Sequence, residues 1–251
     1  MVTSERIIEG LPDETLGLVQ AYARDVKVAF GDRLEGLLIY GSAVRGEFLI
    51  GRSNLNMVLV VSRYDAATLT LYAPVHKRWS KEQVVVPLFL REQDLQPLSR
   101  LYPLEILEIQ DYHRVLGGRD PFVGFHAERM RLRDEVVQGL AGHVLRLRQR
   151  FVEGGGTNDA VTILLPLSIT STIPLLRGIQ RVLGKPVIAH SDAVIKDVAE
   201  LLKLNLAGLM DALLLKRGLV TPGPAEIPRL FDRYLEAATE LADAAAELVQ
   251  V

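Results

Sequence analysis

Residues 41–61 read GSAVRGEFLIGRSNLNMVLVV. Their types and spacing suit the handling of a phosphate group. A glycine at the end of an apolar run lets the backbone come close to a ligand. Successive backbone N–H groups and the Ser42 hydroxyl can then hold phosphate oxygens at the start of a helical turn. Arg45 and Arg52 flank that turn and Ser53 closes the loop, so the candidate phosphate-binding set is Gly41, Ser42, Arg45, Arg52 and Ser53. Asn54 and Asn56 open the next apolar run, and the two-residue period of a strand points both to one face. An amide oxygen can ligate a cation but brings no charge, whereas Mg2+ takes one or two carboxylates together with substrate phosphates. No metal ligand is therefore assigned. The purely local alternatives are a tight turn at Gly41-Ser42 and two asparagines that cap a loop and pair with nearby backbone.

Other residues offer less. The five histidines, His76, His113, His126, His143 and His190, have no metal-ligand spacing and are expected in structural roles. Ser42 lacks the G-x-S-x-G elbow of a hydrolase nucleophile. Arg146, Arg148 and Arg150 alternate on a helical segment, which spreads them around the cylinder as a solvated face. The three glycines at 154–156 are not followed by Lys-Ser/Thr, so they read as a connection and not a phosphate loop.

The elements that position these residues follow from periodicity. Apolar residues recur at helical spacing over 13–31, and Gly31 ends that helix. The runs 34–40 and 54–61 read as strands on either side of the Gly-Ser turn. A helix is expected over 65–79, a strand over 83–90 with Pro87 marking an edge or bulge, and a helix over 92–102. In YPLEILEIQDYHRVLGGRDPF, residues 102–122, a short strand or helix precedes a strand that ends at Gly117-Gly118. A long helix is expected over 126–152, a linker at 153–158, then helices over 159–183, 191–217 (broken near Gly208) and 225–249. Ser191 is the expected N-cap, and Gly184 with Pro186 a helix stop. The organisation is an α/β half over 1–122 and an all-helical half over 123–251.

The chain has 251 residues, 49% of them hydrophobic, enough for a substantial core. A net charge of −2 gives no general bias toward nucleic acid or anionic membrane. With no cysteine there is no disulfide and no thiolate chemistry. The opening MVTSERIIEGLPDE has no apolar signal core, so a cytoplasmic location is expected. The charge-free run AVTILLPLSITSTIPLL, 160–176, is at the short limit for a bilayer span and holds two prolines. It is expected to be a buried helix of a bundle, with no membrane contact.

Gly41-Ser42, Arg45-Gly46, Ser53-Asn54-Leu55-Asn56 and the apolar run after them resemble the signature of the polymerase-β-like nucleotidyltransferase superfamily. The helical second half is similar to the two-domain bacterial type, the architecture of aminoglycoside nucleotidyltransferases. The resemblance implies an α/β (α+β) fold: a small mixed β-sheet with flanking helices, followed by an all-α helical bundle. It also implies that acids belong where Asn54 and Asn56 stand, and that a third carboxylate belongs on a later strand. The later strand VVVPLFL has none, and Glu47 and Glu105 are the candidates for rescue. The expectation is a catalytically impaired member that keeps a triphosphate-sized cleft, binds a nucleotide weakly, or serves a regulatory or partner-binding role. One alternative is an active enzyme using Mg2+ and an NTP, moving a nucleotidyl group to a hydroxyl with Glu105 as base. The other is an antitoxin-like or homodimeric interaction module that binds its partner through the helical half.

Overall fold

The computed structural model describes residues 11–249; residues 1–10, which include most of the opening segment, lie outside them. The chain divides after Glu128 into two compact units.

In the first unit, helix α1, Asp13–Phe30, buries Val19, Tyr22, Val26 and Phe30 along one stripe and stops at Gly31, where φ is +54°. Strand β1, Leu34–Tyr40, leads directly into the 41–43 turn. Strand β2, Asn56–Val61, runs antiparallel to β1 with Tyr40 opposite Asn56. Strand β3, Leu88–Leu90, pairs parallel with β2, and β4, His113–Gly118, pairs antiparallel with the other side of β1. The sheet order is β3-β2-β1-β4.

Both central strands are apolar on both faces because both faces are covered. Leu37, Ile39, Met57 and Leu59 join α1 and helix α3, Tyr72–Trp79, in one core. Leu38, Val58 and Val60 join the opposite core, built on helix α4, Leu95–Leu101, and helix α5, Pro103–Asp111. Burying such side chains stabilises by roughly 1.5–3 kcal/mol each, which is what holds β1 and β2 at the centre.

Several expected elements differ in extent. The helix expected over 65–79 is two, α2, Ala66–Thr70, and α3, because Leu71 intervenes. The strand expected over 83–90 survives only at 88–90, with an isolated bridge from Leu55 to Val84. Pro87 has no N–H for a ladder, and β3 is a sheet edge.

The second unit is helical: α6, Leu132–Glu153; α7, Asn158–Val182; α8, Ser191–Leu202; α9, Ala207–Arg217; and α10, Ile227–Ala246. Helix α7 packs against the other four. Residues 126–131 are not helical, so α6 starts later than the periodicity predicts. The helix expected over 191–217 breaks at Lys203, φ +56°, and not at Gly208. Gly208 instead lies where α9 touches α10, and a Cβ there would collide with the Arg233 carbonyl. Ser191 is the first helical residue and His190 holds the cap position, one residue from the expectation.

Candidate functional site

The glycine before Ser42 is required by its conformation. Gly41 has φ +83°, its N–H donates to the Tyr112 carbonyl at 3.1 Å, and a Cβ there would stand 3.2 Å from Asn56 Nδ2. The Gly41 carbonyl then accepts from the N–H groups of Val44 and Arg45 at 3.0 and 3.1 Å, closing the turn. Ser42 is half-buried, and its hydroxyl makes no hydrogen bond to another described residue.

Asn56 sits at the head of β2 against this turn, and Asn54, two residues before it, is exposed. Ser53 is buried and turned into its own loop: its hydroxyl accepts from the Leu49 N–H at 3.0 Å and its N–H donates to the Leu49 carbonyl at 2.8 Å. Arg52 is exposed in the turn preceding β2. The neighbouring loop is tied down by the Gly51 N–H donating to Gln83 Oε1 at 3.1 Å.

Arg45 lies under the turn, its side chain only 12% exposed. Its Nη1 is 3.6 Å from Glu108 Oε2 and its Nε 3.8 Å from Glu47 Oε2, while the guanidinium lies 5.4 Å from the Tyr112 ring centre. The Arg45 guanidinium therefore stands between the Glu47 and Glu108 carboxylates. Glu108 and Tyr112 are not among the residues that the sequence motif marks. A signal exists in the YPLEILEIQ stretch, where Glu105 and Glu108 are three apart and fall on one side of a helix.

Glu105 is on helix α5, not on an alternating strand. Exposed to solvent, it is one of the residues lining a cavity on the α4–α5 face of the sheet. Partial burial of the carboxyl raises its pKa above the usual carboxylate value. The nearby Tyr40 phenol is pushed up to about 12, by its own burial first and by the Glu105 charge second. Tyr40, Asn56 and Glu105 thus belong to one face of the unit.

Outside this region, His143 is buried in the helical unit. Its Nε2 lies 3.2 Å from both the Tyr234 hydroxyl and Thr172 Oγ1, which are 3.0 Å from each other. Burial, then the charges of Arg146 and Arg150, lower its pKa to about 4. Arg146, Arg148 and Arg150 are exposed, as their spacing predicts.

No protein-family model matches the sequence, and no curated protein matches it. Among solved structures, the fold is similar to the crystal structure of spectinomycin adenyltransferase AAD(9) from Enterococcus faecialis with ATP and spectinomycin. The TM-score is 0.56 at 14% identity, over 87% of this chain and 98% of that one. At that identity the likeness is one of fold. It defines a nucleotidyltransferase-like unit, with a mixed four-stranded sheet and flanking helices, followed by a helical unit.

Proposed function

We propose that this chain keeps a phosphate-binding turn on a nucleotidyltransferase fold, binds a nucleotide weakly, and is impaired in nucleotidyl transfer. One observation carries the reading: where paired metal carboxylates are needed the chain has Asn54 and Asn56, and Arg45 holds Glu47 and Glu108 at 3.8 and 3.6 Å. That donor set does not fit Mg2+. Two amides and a hydroxyl supply no charge, and Glu47 and Glu108 already face the Arg45 guanidinium. Losing one preorganised electrostatic group at a transition state costs about 10²–10³ in rate, and this site lacks two.

What remains suits weak anion binding. The N–H groups of Gly41, Val44 and Arg45 already donate to backbone carbonyls, while the Ser42 hydroxyl has no hydrogen-bond partner among the described residues. A regulatory or partner-binding role is the use that such a module supports.

The test is calorimetry with ATP and GTP, with and without Mg2+, on the natural chain and on the Asn54→Asp/Asn56→Asp variant. The natural chain should bind both nucleotides weakly and no better when Mg2+ is added. The variant should bind Mg2+-ATP at least about tenfold tighter than the natural chain does. Strong, Mg2+-dependent ATP binding by the natural chain would overturn the reading. It would favour the active alternative, with Glu105, whose carboxyl is already shifted toward neutral pH, as the base.

A further inference from the structure

The face of the first unit that carries Tyr40 and Asn56 also holds a cavity of about 610 Å³, within the range of small-molecule sites. Leu88 and Leu90 of β3 form its floor, and Leu98 and Ile106 come from α4 and α5. Two aromatic rings stand at its edge, Tyr64 at 40% and Tyr102 at 54% exposure.

The cavity's two acids are in opposite electrostatic states. Asp94 is satisfied: Arg91 donates to both of its oxygens, at 2.8 Å through Nη2 and 3.2 Å through Nε, and lies 4.5 Å from the Tyr64 ring centre. Glu105 also lines the cavity; it is exposed to solvent and has no ion pair and no hydrogen bond to a described residue. The cavity is thus an apolar slot with one solvent-facing carboxylate that no protein cation pairs. That charge rejects anions. A carboxylate left without a partner beside apolar surface is paired most favourably by a ligand cation whose apolar part fills the slot.

We propose that this cavity binds a small primary amine with an apolar body, Glu105 accepting hydrogen bonds from the ammonium while the body lies on Leu88, Leu98 and Ile106 between Tyr64 and Tyr102. The aromatic edges add attraction for the cation and contact for the body. No residue of the Gly41 turn lines this cavity, and the proposal does not rest on nucleotide binding. Failure of the ATP measurements leaves it untouched, and the reverse holds.

The test uses 2-phenylethylamine and its uncharged counterpart 2-phenylethanol, titrated into the isotopically labelled full chain and followed by NMR. Amine-induced shifts should cluster at Tyr64, Leu88, Leu98 and Tyr102, and the amine should bind roughly tenfold tighter than the alcohol. Glu105→Gln should remove that advantage and leave alcohol binding unchanged. Leu98→Trp, which fills the slot, should abolish both, with circular dichroism showing that the fold persists. If Leu98→Trp does not fold, the Glu105→Gln comparison and the shift map decide alone. Equal binding of amine and alcohol, loss of both in Glu105→Gln, or no shifts in the cavity up to about 10 mM ligand would each overturn the proposal.

Discussion

At residue 56 the side chain is an amide, and its Nδ2 would meet a Cβ at Gly41 at 3.2 Å. The same scale explains His143. Its neutral ring is built into a cluster with Thr172 and Tyr234, and burial holds its pKa at about 4. The unfolded chain therefore takes up this proton first as pH falls. The stability linked to His143 is complete above about pH 6.5 and declines as pH drops toward 4, by about 3 kcal/mol in all. Urea unfolding at pH 7.0, 5.5 and 4.5 should show His143→Gln less stable than the natural chain at pH 7.0 but with a shallower loss on acidification. Parallel losses in the two proteins would mean that His143 is not the titrating group.

Between elements, close approach decides what is tolerated. Gly208 brings α9 against α10, and a Cβ there would meet the Arg233 carbonyl and stand 2.8 Å from the Tyr234 N. Backbone atoms cannot swing aside, so Gly208→Ala should cost about 3 kcal/mol. Gly17, on α1, has nothing within 4 Å of its Cβ position. Gly17→Ala should instead stabilise by about 0.5–1 kcal/mol, since alanine gives up less conformational entropy in a helix interior. Denaturation midpoints of the two variants should move in opposite directions. Similar small shifts in both would show that α9 and α10 can separate without penalty.

For the whole molecule, the division after Glu128 separates two sets of internal contacts. Helix α7 is long and apolar enough, by length and composition, to cross a membrane. It nevertheless buries Arg177, Gln180 and Arg181 within the helical unit. The Arg177 guanidinium donates to the Ile188 and Ala189 carbonyls, and Gln180 Nε2 donates to Asp197 at 2.6 Å. Such groups are buried when protein partners satisfy them, as those of Arg177 and Gln180 are. Residues 129–251 produced alone should therefore remain in the supernatant without detergent, give a helical circular dichroism spectrum and unfold cooperatively in urea. A fragment that pellets, or is a coil, would show that the unit depends on the rest of the chain.

Local rules make much of this molecule legible in its sequence. The stripe of α1, the two apolar strands around Gly41-Ser42, the 153–158 connection and the helical second half follow from period and turn chemistry. So does the absence of acids at 54 and 56, a matter of residue type alone. Extents are less legible: Pro87 cuts β3 short through a missing N–H, and Lys203 in a left-handed conformation ends α8 where no glycine signals it. Only tertiary structure decides which charges meet. Arg45 reaches Glu108 because α5, far along the chain, lies over the sheet beside the turn that carries Arg45. Ser53 turns into its loop, Glu105 opens on an apolar cavity, and His143 is held neutral, each through the groups that the fold sets around it. A residue's type sets what chemistry it can perform. Its charge state and availability are set by the neighbours that folding supplies.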